Sequence, residues 1–214
     1  MTRSLLHVAH RAGNALDLLT TTLSDGADLV EADVHLYRGR LEIRHTKTMG
    51  PLPWLWDRWY VVSARSPRLS LAELAGALPP ERRVMLDLKG WHPWLGHRVA
   101  AAMADAAPGV PYVVCSRHWR MLDAFDGLDH VDVVHSVRSR SELARLRRRL
   151  AAHRSWGVAV HRELLPRLDV PALLRTVDAL LTWPVNTVEA LEEVASYGVT
   201  GVISDDLDRA AISR

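Results

Sequence analysis

The chain has 214 residues, of which 48% are hydrophobic and 24% are charged, with a formal net charge of +2 at pH 7. This length suits one globular domain with a sizeable core, and so small a net charge argues against nucleic-acid binding. A single cysteine excludes a disulfide framework. We find no signal peptide and no apolar run as long as the roughly 18 residues that a membrane span needs, so we expect a soluble cytoplasmic protein.

Short apolar runs alternate with helical patterns along the chain. Such runs are typical of parallel strands that are buried on both faces of a sheet. The eight predicted strands span 5–9, 29–34, 83–88, 112–116, 131–136, 157–161, 179–183 and 200–204. The predicted helices span 14–25, 70–78, 95–107, 119–127, 141–153, 171–178 and 187–197, followed by a short one at 207–214.

Several of these helices carry recognisable start signals. Ser70 is followed three residues later by Glu73, which is the pattern of a capping box. Ser139 or Ser141 is the expected cap of the helix at 141–153. An Asp directly after a strand is often the cap of the next helix, and we expect that role for Asp205 or Asp206.

The alternation of eight strands with seven or eight helices predicts an α/β fold, a compact (β/α)8 TIM barrel formed by a single domain over 1–214. A doubly wound open sheet fits the same pattern and stays open as an alternative. One segment, 46–69, interrupts the alternation and is rich in aromatic residues: Trp54, Trp56, Trp59 and Tyr60. A long loop of this kind is either a lid or substrate wall, or a filler packed against the side of the barrel.

Polar side chains collect where the predicted strands end. In a parallel barrel these ends meet on one face, so the side chains should converge there. The residues are His10, Arg11, Glu31, Asp33, His45, Asp87 and Lys89.

Three carboxylates in this set, Glu31, Asp33 and Asp87, would repel one another unless a cation lay between them. A set of carboxylate oxygens favours Mg²⁺ or Ca²⁺ over Zn²⁺. An arginine fork and a lysine point charge beside such a cation suit a phosphate. Two histidines then suit general acid–base catalysis on a phosphodiester.

The order of these motifs resembles that of the glycerophosphodiester phosphodiesterase family over nearly the whole chain. The matching stretches are VAHRAGN (8–14), GADLVEADV (26–34), EIRHT (42–46), DLK (87–89), WPVN (183–186) and GVTGVISD (198–205). The resemblance implies a (β/α)8 barrel with a divalent-metal site that hydrolyses glycerophosphodiesters to glycerol 3-phosphate and an alcohol. It implies metal ligation by Glu31, Asp33 and Asp87, catalysis by His10 and His45, and phosphate binding by Arg11 and Lys89. We expect Trp183 to form a wall of the substrate pocket.

Three residues depart from the family pattern. Ala12 displaces the glycine after His-Arg by one position, and Thr46 stands where an Asp usually follows the second histidine, so we expect His45 to lack that orienting partner. Asp87 replaces a Glu, as in the related sphingomyelinase D and lysophospholipase D-like enzymes. The alternatives to the main prediction are therefore a phosphodiesterase acting on lysolipids, with transient contact to a membrane surface, and a non-catalytic barrel that keeps the metal site.

Overall fold

The computed structural model describes residues 5–50, 52–57, 60–79 and 81–205. The strands in this part are β1 (Leu6–Ala9), β2 (Leu29–Tyr37), β3 (Arg40–Ile43), β4 (Lys47–Thr48), β5 (Trp54–Trp56), β6 (Val61–Ser63), β7 (Leu69–Ser70), β8 (Arg83–Leu88), β9 (Tyr112–Ser116), β10 (Val131–Val137), β11 (Gly157–His161), β12 (Ala179–Trp183) and β13 (Gly201–Ser204). The helices are α1 (Leu16–Ser24), α2 (Leu71–Ala77), α3 (Leu95–Ala106), α4 (Arg140–Ala152), α5 (Val170–Leu173) and α6 (Val188–Ser196). Three 3₁₀ helices lie at Ala12–Asn14, Trp119–Phe125 and Arg162–Arg167.

Eight of the strands form a closed parallel barrel in the order β1-β13-β12-β11-β10-β9-β8-β2. The barrel closes because β1 pairs in parallel with both β13 and β2, as in the pairing of Val8 with Ile203 on one side and Leu29 on the other. An open sheet would leave two edge strands, so the doubly wound alternative is excluded and the TIM-barrel prediction is confirmed. All eight carboxyl ends therefore lie on one face.

The helix starts agree with the capping signals. Ser70 accepts a hydrogen bond from the Glu73 N–H in a complete capping box, and Ser139, not Ser141, caps α4 together with Glu142. The capping role expected of Asp205 stays a prediction, because the helix that it would cap lies outside the described residues. Its side chain contacts His10 in the candidate site described below. Asp206 and the predicted helix at 207–214 lie outside the described residues.

Two predicted helices differ from the structure. The segment predicted as helical over 119–127 is a 3₁₀ helix ending at Phe125. The segment predicted over 171–178 holds only the one-turn helix α5, preceded by a 3₁₀ helix. The Thr176 hydroxyl donates to the Leu173 carbonyl at 2.7 Å, and this local bond competes with continuation of the helix.

The segment 46–69 contains structure that the sequence did not predict. Strands β4, β5 and β6 form a small antiparallel sheet, while β3 pairs back onto β2 and β7 pairs with β3. Leu55 is buried at the centre of the small sheet, whereas its neighbours Trp54 and Trp56 are exposed. Trp59 lies outside the described residues. The aromatic side chains Trp54, Trp56 and Tyr60 therefore do not fill a gap against the barrel.

The barrel interior is apolar near the amino ends of the strands and polar near their carboxyl ends. Val8, Met85, Val134 and Leu181 belong to one buried cluster inside the barrel. Along β2, the side chain two residues after each inward-facing one also faces inward. Leu29, Glu31 and Asp33 therefore all face the barrel interior, with the two carboxylates nearer the carboxyl ends of the strands. None of the described helices has the length and apolar character needed to cross a membrane.

Candidate active site

The turn after β1 presents His10 and Arg11 to the barrel mouth. Arg11 has a φ of 58°, in the left-handed region that few non-glycine residues adopt. Its backbone N–H donates to Glu31 Oε2 at 2.7 Å, which holds this conformation. The displaced glycine has a role of its own, because a Cβ on Gly13 would lie 2.8 Å from the Ala32 Cβ. Gly13 thus lets the turn pack closely against β2.

The three predicted metal carboxylates meet at the mouth. Asp33 on β2 lies beside Asp87 on β8 in the parallel register, and Glu31 lies two residues earlier on the same face of β2. Each contributes one oxygen to a group in which all the oxygens lie within 4.8 Å of one another. Burial, followed by the neighbouring Asp33 charge, raises the pKa of Glu31 well above its usual range. Burial also raises the pKa of Asp87.

Lys89 supplies a positive charge between two of these carboxylates. Its Nζ lies 2.8 Å from Asp33 Oδ1 and in close contact with Asp87 Oδ2. Burial alone would lower the pKa of Lys89, but the charges of Asp87, Asp33 and Glu31 raise it well above its usual range. Burial likewise pushes the pKa of Asp33 upward, yet Lys89 and a hydrogen bond from Asn14 outweigh it and lower that pKa.

Asn14 is a residue of this site that the sequence analysis missed. Its side-chain amide donates to Asp33 Oδ2 at 2.8 Å and accepts from the Asp33 N–H at 2.8 Å. The pair ties the turn after β1 to β2. Asn14 closes the VAHRAGN motif, so its position beside His10 and Arg11 was the available signal.

His10 is oriented from the far end of the chain. Its Nδ1 lies 2.7 Å from Asp205 Oδ1, and its Nε2 lies 4.0 Å from Glu31 Oε2. Asn186 holds Asp205 in turn, because its amide donates to Asp205 Oδ2 at 3.1 Å. The hydrogen bond with His10 is the main reason that the pKa of Asp205 falls to about 2, so this carboxyl stays ionised. Both Asn186 and Asp205 lie in motifs that we associated with the resemblance, but their link to His10 was not foreseen.

His45 is held on both sides. Its Nδ1 lies 2.6 Å from Asp57 Oδ2, and its Nε2 lies 2.7 Å from Arg11 Nη2. Because an arginine can only donate, Nε2 is the acceptor and Nδ1 carries the proton that is shared with Asp57. The orienting carboxylate that we expected to be lost with Thr46 is thus provided by Asp57, twelve residues along the chain. Nothing in the sequence pattern pointed to it.

These residues open into one large cavity of about 1460 Å³. Trp183, which we expect to form a wall of the substrate pocket, lines this cavity with its ring edge-on to His161 at 4.9 Å between ring centroids. Arg11, Lys89, both histidines, Glu31 and Asp87 line the same cavity. The structure therefore brings the predicted site residues together at one mouth.

The acidic group suits one hard divalent cation. Its donors are carboxylate oxygens at close mutual distance, and two of the three carboxyls bear the electrostatic cost that a bound cation would relieve. Lys89 offsets only part of that cost, because the pKa of both Glu31 and Asp87 stays raised despite its charge.

No protein-family model matches the chain, and no curated protein sequence matches it. Solved structures do resemble it. A Silicibacter pomeroyi protein assigned as a glycerophosphoryl diester phosphodiesterase shares 16% identity over 99% of this chain and 94% of its own, with a TM-score of 0.79. A glycerophosphodiester phosphodiesterase from Thermotoga maritima shares 15% identity over 94% and 95% of the two chains, with a TM-score of 0.72.

A third structure is that of an Oleispira antarctica phosphodiesterase in complex with the product sn-glycerol-3-phosphate. It shares 17% identity over 97% of this chain and 96% of its own, with a TM-score of 0.72. At such identities the likeness establishes the fold, which is that of the glycerophosphodiester phosphodiesterases, over nearly the full length of each chain.

Proposed function

We propose that this protein is a metal-dependent phosphodiesterase that hydrolyses glycerophosphodiesters to glycerol 3-phosphate and an alcohol. The observation that carries the proposal is the pair of histidines at the barrel mouth. His10 and His45 flank the acidic group, and each is oriented by a carboxylate from a different part of the chain. The Oleispira antarctica structure, which shares this fold, holds sn-glycerol-3-phosphate as product and supports the choice of substrate.

Glu31, Asp33 and Asp87 would hold one divalent cation, Mg²⁺ or Ca²⁺. When bound, such an ion offers Lewis-acid stabilisation of negative charge on a phosphate oxygen. The protein's own cations would hold the remaining phosphate oxygens. Arg11 already points its guanidinium toward His45, and Lys89 lies between Asp33 and Asp87.

The histidines would move the protons. One histidine would act as the base and take the proton from the attacking hydroxyl, which belongs to water or to a neighbouring group of the substrate. The new P–O bond forms as the bond to the alcohol breaks, and the other histidine gives its proton to the departing oxygen. Asp57 and Asp205 would stabilise the positive charge on whichever imidazole is protonated, and they also fix the ring orientations.

A lysolipid is the second candidate substrate, because apolar side chains border the cavity. Trp56 and Trp91 line it and are exposed, so they could contact an acyl chain. In that case the same bond would break and the released alcohol would be the head group.

A substrate panel tests the proposal. Purified protein is incubated with glycerophosphocholine and with lysophosphatidylcholine, each with Mg²⁺ or Ca²⁺, and released choline and phosphomonoester are quantified. We expect turnover of at least one substrate, and its loss after exhaustive EDTA treatment with recovery on adding the cation back. Full activity after EDTA treatment would contradict the metal assignment, and no turnover with any pairing would favour a non-catalytic barrel.

A further inference from the structure

Exposed apolar side chains concentrate on two neighbouring loops of this protein. Trp91 is 85% exposed and Trp94 is 63% exposed in the loop between β8 and α3. Of the eleven large hydrophobic side chains that are exposed in the described part of the chain, eight lie on this loop and on the segment between β3 and β7. These eight, here called the apolar rim, are Met49, Leu52, Trp54, Trp56, Tyr60, Val61, Trp91 and Trp94.

The apolar rim borders the mouth of the candidate site. Strands β2 and β8 are neighbours in the barrel, so the loops that follow them leave the same side of its carboxyl face. Trp56 and Trp91 line the cavity itself, while Trp54 and Trp94 lie outside it. A concentration of exposed apolar side chains beside a cavity is typical of an interaction site. The proposed reaction assigns no role to the outer members of the rim.

Basic side chains surround the same opening. Outside the acidic group and the His10–Asp205 pair, the described residues that line the cavity include one carboxylate, Glu142, whose Oε1 accepts from Arg117 at 2.8 Å. Five exposed cationic side chains line the same cavity and outnumber this carboxylate. They are Lys47, Arg117, Arg120, Arg138 and Arg145.

The aromatic and basic groups are interleaved. Lys47 Nζ lies 5.2 Å from the centre of the Trp56 ring, and Arg145 lies 6.0 Å from the centre of the Trp119 ring. Tryptophan and tyrosine favour the boundary between water and lipid, where the ring is apolar and its N–H or O–H stays hydrated. Lysine and arginine at that boundary attract anionic head groups.

We propose that the apolar rim and the surrounding basic residues dock the barrel mouth onto an anionic lipid surface. The tryptophans would enter the head-group region while the arginines and Lys47 contact the lipid phosphates. This orientation would place the cavity opening at the surface, where a phosphodiester could enter it from the lipid layer. The proposal concerns binding, and it stands whether or not the proposed reaction is correct.

Vesicle sedimentation tests this docking without any assay of catalysis. Wild-type protein is mixed with sucrose-loaded vesicles of phosphatidylcholine alone, or of phosphatidylcholine with roughly 30 mol % phosphatidylglycerol. We expect binding to the anionic vesicles, weaker binding to the neutral ones, and release by about 0.5 M NaCl. Absence of sedimentation with both vesicle types would overturn the proposal.

Two double variants separate the apolar and the charged contributions. Trp54→Ser/Trp94→Ser removes rim residues that do not line the cavity, and we expect the partition coefficient to fall about tenfold. Arg120→Gln/Arg145→Gln should lower binding to anionic vesicles by a similar factor, about tenfold. Arg147→Gln/Arg148→Gln is the matched control, because it removes the same charge from exposed positions that do not line the cavity.

Each outcome has a defined meaning. Equal loss of binding in the arginine variant and its control would show a diffuse charge effect and overturn the docking site. Unchanged vesicle binding by Trp54→Ser/Trp94→Ser would show that the apolar rim does not contact the lipid, and would also overturn the docking site. Sedimentation equilibrium of the free protein tests whether a second copy of the chain binds the apolar rim instead of lipid. A dimer that is lost in Trp54→Ser/Trp94→Ser would show that it does, and would overturn the proposal.

Discussion

At the scale of single residues, the site is organised by side chains that orient other side chains. His45 carries the proposed chemistry, but its ring is fixed between Arg11 and Asp57. His10 depends in the same way on Asp205 and, behind it, Asn186. Most of the primary residues could be predicted because they lie at the carboxyl ends of parallel strands, which meet on one face. His45 instead follows β3, which pairs antiparallel with β2. Asp57 could not, because its place depends on how β4 and β5 fold back over the mouth.

Asp57 provides a direct test of this arrangement. We expect Asp57→Asn to lower kcat by roughly 10- to 100-fold with little change in KM, since the amide no longer fixes the charge and tautomer of His45. Thr46→Val is the control, because Thr46 adjoins His45 in the chain and should leave kcat within about twofold when replaced. A kcat for Asp57→Asn equal to that of the control would show that Asp57 does not position His45.

His135 shows how a buried histidine limits stability in acid. It is fully buried, accepts from Arg149 Nε at 2.9 Å, and lies near His153 and Asp123. Burial first, and then the Arg149 and His153 charges, lower its pKa from the ordinary value of 6.5 to about 3. Between pH 6.5 and pH 3 the imidazole of the unfolded chain is protonated, whereas that of the folded chain is not. His135 therefore costs no stability above pH 6.5 and an increasing amount as the pH falls toward 3.

The expected acid effect of His135 is a few kcal/mol of unfolding free energy between neutral pH and about pH 4. Urea unfolding at the two pH values measures it. The pH-dependent loss should shrink in His135→Gln and stay unchanged in His92→Gln, where the substituted histidine is exposed. The same loss in both variants would place the acid sensitivity elsewhere.

At the scale of secondary-structure elements, the barrel strands were predictable and the loop segments were not. Runs such as YVVCS at 112–116 are almost entirely apolar because they are buried on both faces, so their extent can be read directly. β2 runs three residues beyond its prediction, to Tyr37, because β3 pairs with its end as a hairpin. The small sheet at β4–β6 has strands of two or three residues, too short to show a period.

The contact between α3 and the 3₁₀ helix at Trp119–Phe125 depends on a missing side chain. A Cβ on Gly96 would lie 2.0 Å from the Met121 carbonyl oxygen, so Gly96→Ala must push two elements apart. We expect it to lower the unfolding free energy by about 1–3 kcal/mol. Gly76→Ala is the matched control in α2, where the added methyl meets open space and should stabilise by about 0.5–1 kcal/mol. Equal effects in chemical denaturation would contradict this packing.

At the scale of the whole molecule, barrel closure assembles the site. Residues from the first strand, from the middle of the chain and from the last strand meet because β1 pairs with both β2 and β13. The fold class could be predicted from the alternation of elements. Closure explains why polar residues scattered over the sequence meet at one cavity mouth, where six of the seven predicted residues line the cavity and Asp33 lies buried beside Asp87.

A cation bound by the acidic group, as proposed, would couple the stability of the whole fold to metal binding. Millimolar Mg²⁺ or Ca²⁺ should raise the Tm of the wild-type protein by about 5 °C or more, as expected for a ligand at many times its Kd. Glu31→Gln should melt higher than the wild type without added cation, because it removes a buried charge, and should gain no further stability from the cation. A cation response that survives in Glu31→Gln would remove this residue from the metal site.

Turnover by the two histidine variants tests the central claim most directly. His10 and His45 are only partly buried, so His10→Ala and His45→Ala should keep the thermal stability of the wild type. We predict that each lowers kcat at least about 100-fold toward the phosphodiester that the wild type hydrolyses best, measured with the cation present. Near-normal turnover by either folded variant would contradict the assignment of the two histidines as the acid–base pair.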